Sequence, residues 1–284
     1  MIGARCMLFT DHCPDPWLLI DRTMTEYSAY FISDAHLGLS YSGWEGREEA
    51  LIAFLRAIAP GAESLFIVGD LFDFWVEYRS AVRRDYFGVL HALRSLVEQG
   101  VAVHYLKGNH DFALGNFLPE TIGARVHAGP VQIAIQGKKV YLLHADGARR
   151  SESLWRLLDR VLRSPANQFL FRLLHPTVGI RLGEFFSGLS RRKMTYPPTE
   201  EMLEEYRALA RGHLARGNDI VVFGHTHVPE LFRFGRGVYC NTGAWLSRYT
   251  FAKMTGGEIS LWAYRAGEPP IPIPPRSCPP APRQ

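Results

Sequence analysis

The feature that most constrains this 284-residue chain is a set of short apolar, β-branched segments that each end in Asp, Asn or His. The segment at residues 65–68 passes Gly69 and ends in Asp70. The other segments end in Asp34 and His36, in Asn109 and His110, in His144, and in His225 and His227. Apolar runs of this length are typical of buried strands. Because open α/β sheets place their chemistry at the carboxyl ends of the strands, these side chains are predicted to meet.

Seven of these side chains are predicted to bind two divalent cations. Cations about 3.5–4 Å apart clamp the attacking and leaving oxygens of a phosphoryl displacement, and a bridging carboxylate holds them that close. Asp70 is the predicted bridge. The remaining ligands are predicted to be Asp34, His36 and His227 for one metal, and Asn109, His144 and His225 for the other. Mixed oxygen and imidazole ligands suit Mn, Fe or Zn without choosing among them; we expect Mn²⁺, with Fe and Zn as alternatives.

His110 is the histidine of this set without a metal in the predicted scheme. It is followed directly by Asp111. An imidazole oriented by a carboxylate can stabilise or protonate a leaving oxygen. His110 and Asp111 are therefore the predicted catalytic pair.

Taken in order, the five motifs resemble the five blocks of the calcineurin-like metallophosphoesterases. The motifs are Asp34-x-His36, Gly69-Asp70-x-x-Asp73, Gly108-Asn109-His110-Asp111, His144, and Gly224-His225-x-His227. The resemblance covers about residues 27–263. It implies an α/β fold in which a two-sheet β-sandwich is flanked by helices, and it agrees with the metal roles given above.

Within that superfamily, the chain is similar to the UDP-2,3-diacylglucosamine diphosphatases of lipid A biosynthesis. Residues 32–38, 69–75 and 224–229 carry this similarity, together with an apolar helical insert between the fourth and fifth motifs. The similarity implies hydrolysis of UDP-2,3-diacylglucosamine to UMP and 2,3-diacylglucosamine 1-phosphate. The best-known members carry Arg at the position of His110. This departure keeps open a phosphatase or phosphodiesterase of soluble nucleotides or phosphoproteins. A non-catalytic scaffold of the same fold is the further alternative, which is disfavoured because all seven metal positions and His110 are filled.

The helical insert, defined as residues 149–196, carries the basic character of the chain. Residues 149–193 contain ten Lys and Arg against three acids, whereas the rest of the chain has 22 against 25. Three apolar helical segments are predicted here, with more apolar surface than a small lid buries. This combination predicts a lid with a slot for acyl chains and a cationic rim that meets phosphate or an anionic membrane surface. Within this rim, the predicted phosphate contacts are Arg191, Arg192 and Lys193. The alternative to an acyl-chain slot is that the apolar helix faces pack on one another and on the sandwich, or make a dimer contact.

Outside the motifs, periodicity predicts helices at residues 47–59, 82–99 and 200–216. Short strands at 231–234, 238–241, 249–253 and 258–264 are predicted to build the second sheet. The predicted organisation is an N-terminal extension (1–26), a catalytic domain (27–265) and a Pro-rich disordered or extended tail (266–284).

Composition limits the cellular setting. No apolar run is long enough to span a membrane. The first segment is not expected to be a signal peptide, because acidic residues and prolines interrupt the apolar core that a signal peptide needs. The four cysteines form no close pair, which is typical of reduced thiols. We expect a cytoplasmic protein, associated at most peripherally with the inner face of the membrane. No nucleic-acid partner is expected, because the basic residues alternate with large aliphatic faces, and the sequence does not fix an oligomeric state.

Overall fold

The fold was derived from a computed structural model, which describes residues 27–38, 46–148, 164–193 and 197–276, with the backbone alone for 189–193. Its described strands form a seven-stranded sheet and a five-stranded sheet. The large sheet has the order β12-β11-β10-β1-β2-β3-β4 and the small one β5-β6-β7-β9-β8. This is the predicted two-sheet sandwich.

The first four strands of the large sheet run parallel, and the first three of them lead directly to the predicted site. They are β1 (Ser28–Ile32), β2 (Ala62–Val68), β3 (Ala102–Leu106) and β4 (Arg125–His127). Helices α1 (Arg47–Ile58) and α2 (Phe87–Glu98) connect them and pack on their outer face. Parallel strands need such crossover helices, so both faces of this part of the sheet are buried.

The small sheet carries the other two site-bearing strands. It consists of β5 (Val131–Ile135), β6 (Lys138–Leu143), β7 (Ile220–Phe223), β8 (Pro229–Phe234) and β9 (Gly237–Thr242). β6, β7 and β9 are mutually parallel, and β5 and β8 flank them antiparallel. The insert helices α3 (Pro165–Arg172) and α4 (Pro176–Lys193) and the helix α5 (Glu200–Ala215) lie between β6 and β7 in the chain. All five motif-bearing strands predicted from the sequence are therefore present.

The two sheets pack face to face through a shared apolar core. Phe31 and Phe66 of the large sheet stack with their ring centroids 5.0 Å apart, and they pack in one cluster with Val140, Val222 and Cys240 of the small sheet. Each such buried side chain contributes about 1.5–3 kcal/mol. This core fixes the sheets relative to each other, and with them the carboxyl ends of their parallel strands.

The predicted assignment of the last strands to the second sheet was only half right. β8 and β9 join the small sheet, but β10 (Thr250–Thr255) and β11 (Glu258–Arg265) extend the large one, since β10 pairs antiparallel with β1. The short helix α6 (Trp245–Arg248) lies where the chain crosses between them. Local pattern specifies a strand, but its choice of sheet depends on non-local pairing.

Of the two states expected for the Pro-rich segment, disordered or extended, the described part from residue 268 is extended. β12 (Glu268–Ile273) pairs antiparallel with β11, at the edge of the large sheet. Proline lacks a backbone donor but is tolerated on an edge strand, where one side of the strand faces solvent. Residues 277–284 and the predicted extension 1–26 lie outside the described residues.

The predicted helices agree with the structure apart from their ends. The second predicted helix begins five residues later than expected, because a short 3₁₀ turn at Arg84–Tyr86 precedes α2. In the insert, α3 and α4 occupy the second and third predicted segments. The first of these segments, predicted to begin at Ser151, lies outside the described residues. Ser164 caps α3, and its hydroxyl accepts a hydrogen bond from the Asn167 amide.

The buried His104 is expected to make the folded protein less stable at acidic pH. Burial and the neighbouring His127 lower the pKa of His104 from 6.5 to about 4. Between these pH values His104 is protonated in the unfolded chain and neutral in the folded chain. Stability therefore falls as the pH drops from 6.5 towards 4. Replacing His104 by Phe should make this loss shallower by about 2–3 kcal/mol, measured by urea unfolding across that range. Replacement of the exposed His91 should leave the slope unchanged; equal slopes for His104→Phe and wild type would contradict the assignment.

Candidate two-metal centre

The seven predicted metal ligands lie together at the carboxyl ends of strands from both sheets. Those from β1, β2 and β3 enter from the large sheet, and those from β6 and β7 enter from the small sheet. Five of them have a left-handed backbone: Asp34, His36, Asp70, His225 and His227, with φ between 44° and 68°. Non-glycine residues rarely adopt this conformation, and where they do the strain is typical of functional sites.

The first cluster consists of Asp34, His36 and His227. Asp34 Oδ1 lies 3.2 Å from His227 Nε2 and 3.9 Å from His36 Nε2, and the two imidazole nitrogens are 3.3 Å apart. Asp34 Oδ1 is buried and accepts no hydrogen bond, whereas Oδ2 accepts one from the His225 amide at 2.9 Å and another from the Ser33 hydroxyl. A buried carboxylate oxygen without a donor, facing two imidazoles, fits a cation.

The second cluster is built around Asn109. Its Oδ1 lies 3.1 Å from His144 Nε2 and 3.1 Å from His225 Nδ1. His144 Nδ1 donates to the Val68 carbonyl at 2.7 Å, which fixes this tautomer and leaves Nε2 for a ligand. The predicted second ligand set is therefore also assembled.

Asp70 joins the two clusters, as expected for a bridging carboxylate. Its Oδ2 lies 3.1 Å from His144 Nε2, and its Oδ1 accepts a hydrogen bond of 2.8 Å from the His110 amide. The Asp70 carbonyl accepts from the amides of Ala35 and His36, which ties the β1 and β2 loops together. Asp70 and His144 are also grouped with Asp34 as a set of close ligand atoms.

Burial and the charges of the neighbouring groups set the protonation of the ligands. Burial raises the pKa of Asp34, but the neighbouring His227 and His144 together outweigh burial and lower it to about 2. Burial and the charge on His144 lower the pKa of His225 to about 4, so that this imidazole is neutral. Burial alone would lower the pKa of His144, but Asp70 raises it well above the ordinary value. A cation at this position therefore replaces a proton held between Asp70 and His144.

Glycines let the loops approach one another at this site. A Cβ on Gly69 would collide with the His144 ring, and one on Gly108 would collide with the carboxylate and amide of Asp70. The glycines of the second and third motifs are thus required by packing around the ligands as well as by turn geometry.

His110 lies in the site, but Asp111 does not orient it as predicted. The Asp111 carboxylate accepts hydrogen bonds from the Tyr105 hydroxyl at 2.6 Å and from the Gly108 amide at 2.8 Å. His110 Nδ1 instead donates to the Asp73 carbonyl at 2.6 Å, with Asp73 Oδ1 at 3.7 Å. Asp111 therefore braces the loop that carries Asn109 and His110, since its contacts cross that loop.

Asp73 and Ser187 are site residues to which the sequence analysis gave no role. Asp73 Oδ1 lies 3.6 Å from His36 Nδ1, on the side of the ring away from the metal cluster. Ser187, in the insert helix α4, contacts both Asp73 and His110. The spacing of Asp73 within the second motif was a usable signal, but nothing local distinguishes Ser187 from other insert serines.

The predicted substrate contacts Arg191, Arg192 and Lys193 form the end of α4. Their side chains lie outside the described part of the structure, so their role stays a prediction. No helix in the described ranges is long and apolar enough to cross a membrane.

Two clusters of Asp, Asn and His side chains, with Asp70 between them, lie at the carboxyl ends of strands of a two-sheet sandwich. This arrangement is that of a metal-dependent phosphohydrolase. Residues 27–229 match the family model of the calcineurin-like phosphoesterases, and the chain belongs to this family.

Relatives refine this assignment. The chain is 32% identical to a UDP-2,3-diacylglucosamine hydrolase from Porphyromonas gingivalis over 251 residues, which cover 82% of this chain and 95% of that protein. It is 28% identical to a protein of the same name from Stenotrophomonas maltophilia, over 81% of this chain and 96% of the relative. A third, from Nitrosococcus oceani, is 28% identical over 73% and 81% of the two chains.

Proposed function

We propose that the chain hydrolyses the pyrophosphate of UDP-2,3-diacylglucosamine to UMP and 2,3-diacylglucosamine 1-phosphate, in lipid A biosynthesis. Three curated relatives with this name align along most of their own length, which supports the substrate. The structural observation that carries the proposal is the apolar surface of the insert beside the metal ligands.

That apolar surface lies on α3 and α4. Its side chains are between 36% and 67% exposed in the described structure: Phe169, Leu170, Leu173, Val178, Leu182, Phe185 and Phe186. The same helices dock on the loops of the site, since the Phe171 ring packs against Phe74 and Phe112 and Gln168 donates to the Phe112 carbonyl at 3.0 Å. Several exposed apolar side chains on neighbouring helices are typical of ligand or membrane contacts. Acyl chains on this surface would hold a diphosphate at the metal centre.

The metal centre requires two divalent cations, and we propose Mn²⁺. Asp34, His36, Asp70 and His227 would hold one, and Asp70, Asn109, His144 and His225 the other. When bound, the cations supply Lewis acidity at the phosphoryl oxygens and neutralise the charge of the diphosphate. Mixed oxygen and nitrogen donors support a transition metal over Mg²⁺.

His110 acts on the leaving phosphate in this proposal. Because Nδ1 donates to the Asp73 carbonyl, Nε2 is the nitrogen left for the leaving oxygen, and it can donate a proton there when the ring carries a proton on both nitrogens. The His110 amide also donates to Asp70, so the backbone that carries the imidazole is fixed to the bridging ligand.

A lipid substrate also supports a location on the inner face of the cytoplasmic membrane. The excess of Lys and Arg in the insert would favour contact with anionic lipid headgroups. In this orientation the apolar faces of α3 and α4 face the bilayer and take acyl chains directly from it.

The test is turnover of UDP-2,3-diacylglucosamine with Mn²⁺, beside the deacylated UDP-sugar and bis-p-nitrophenyl phosphate. Each methylene removed from water contributes about 0.8 kcal/mol, so burial of four raises kcat/KM roughly 100-fold for the diacylated substrate. EDTA should abolish turnover and Mn²⁺ should restore it. Equal rates on the acylated and deacylated sugars would instead favour a phosphodiesterase of soluble nucleotides. The presence of His110, where the best-known diphosphatases of lipid A biosynthesis have Arg, also favours that alternative.

A further inference from the structure

One side chain of the insert, Ser187, reaches the reaction centre. It is 6% exposed, and its Oγ lies 3.1 Å from His110 Nδ1. The same oxygen lies 3.2 Å and 3.1 Å from the two carboxylate oxygens of Asp73. The helix predicted to select the substrate therefore also touches the histidine that we propose acts on the leaving group.

The donors and acceptors fix the direction of this contact. The Asp73 carboxylate can only accept, so the single Ser187 hydroxyl proton is donated to it. The Ser187 oxygen then accepts from His110 Nδ1–H, which it shares with the Asp73 carbonyl. Asp73 Oδ1 in turn lies 3.6 Å from Nδ1 of the metal ligand His36. Ser187 and Asp73 thus link α4 to two imidazoles of the site.

Close packing of α4 against the rest of the domain fixes the position of Ser187. Gly183 and Gly179 lie one and two turns before Ser187 on the same helix face. A Cβ on either glycine would collide, with the Tyr78 hydroxyl or with the Phe74 ring. The helix backbone therefore lies directly on the segment that follows Asp73, at a distance that puts a serine side chain within hydrogen-bonding reach.

An ion pair secures the same surface. Glu184, in the turn before Ser187, accepts from Arg83 at 2.7 Å, and Arg83 is 13% exposed. A partly buried pair with this geometry limits sliding of α4 across the domain. The position of Ser187 thus depends on the docking of the whole helix.

We propose that Ser187 is a positioning residue, which holds the His110 imidazole and the Asp73 carboxylate in their reactive orientation and thereby couples the seating of the insert to the rate of hydrolysis. This inference rests on the role of His110 in the proposed function. It assigns to the insert a part in the chemical step besides the binding of acyl chains.

Ser187→Ala tests the proposal, with Ser187→Thr as the variant that keeps the hydroxyl. Removing a hydrogen-bond partner that orients an imidazole in a site typically lowers activity about 10–100-fold, and we expect a loss of this size in kcat for Ser187→Ala. KM should stay within about two-fold of wild type, because no substrate contact is removed. Ser187→Thr should recover most of the rate. Thr177→Ala, which removes an exposed hydroxyl from the same helix, is the matched control and should equal wild type.

A double-mutant cycle with His110→Ala separates positioning from a general structural effect. In the His110→Ala background, Ser187→Ala should change kcat by less than about two-fold, because the group that it positions is gone. Independent, additive losses would overturn the proposal. So would a loss of metal content or of melting temperature in Ser187→Ala that accounts for the lost rate, or a wild-type rate for that variant.

The cycle is measured on UDP-2,3-diacylglucosamine and on bis-p-nitrophenyl phosphate, both with Mn²⁺. If only the diester is cleaved, the proposed substrate is wrong, whereas coupling between Ser187 and His110 on the diester still supports the positioning role. If the lipid is cleaved without such coupling, the substrate stands and the positioning role is overturned.

Discussion

Replacement of Asp70 by Ala is expected to remove both metal occupancy and turnover. Asp70 lies between the clusters: its Oδ2 is 3.1 Å from His144 Nε2, and its carboxylate is grouped with that of Asp34 as a set of close ligand atoms. Bridging metal contacts contribute several kcal/mol to the transition state, so kcat should fall by about 10³-fold or more. Metal content measured by atomic emission, together with UMP release, checks this expectation.

Two further variants make the Asp70 result specific. Asp70→Asn keeps the volume but removes the charge, and it should lose metal nearly as completely. Glu258→Ala removes a carboxylate that is 68% exposed and paired only with Arg233 in the described contacts, so it should leave metal content and rate unchanged. Wild-type turnover or unchanged metal content in Asp70→Ala would rule out the bridging role.

Gly108→Ala should have the second-largest effect among these variants, although it adds only a methyl group. The new Cβ would occupy the space of Asp70 Oδ1 and crowd the Asp70 amide, so either the β3 loop or the bridging carboxylate must move. A displacement of about 1 Å costs roughly 100-fold in rate. Overpacking of a dense site also destabilises by about 1–3 kcal/mol. Steady-state rates and a Mn²⁺ titration measure the first effect, and thermal unfolding measures the second.

Gly129→Ala is the matched control. A Cβ at this loop position meets no atom within 4 Å, so both rate and metal affinity should remain those of wild type. Equal behaviour of the two glycine variants would show that the close approach of Gly108 to Asp70 does not hold in solution.

The metal ligands could be named from the sequence because each follows a strand that is recognisable by itself. A run such as the one before Asp70 or the one before His225 is apolar over a short length and then changes abruptly to a ligand type. Because the motifs also carry a family pattern in a fixed order, the sequence was enough to group ligands from two different sheets. In the structure those side chains lie close together, and their role as metal ligands stays a prediction.

Orientation within the site was not available from the sequence. Asp111 was the obvious partner of His110 because it is its neighbour in the chain, yet its carboxylate accepts from Tyr105 and Gly108. Backbone geometry at the end of β3 turns the two side chains apart, and Asp73 from another loop takes the place beside the imidazole. Adjacent residues on a sharp turn rarely share a direction.

The sequence by itself indicated the strands that carry the motifs, the candidate ligands, the reaction class and the existence of an apolar, basic insert. The tertiary structure decided which sheet β10 and β11 join, that residues 268–273 form an edge strand, and that Ser187 of α4 contacts His110. The physical reason is the range of the interactions. Strand propensity and motif chemistry are encoded in a few neighbouring residues, whereas the choice of sheet and the packing of a helix depend on contacts with other segments, as in the pairing of β10 with β1 and the contact of Ser187 with Asp73.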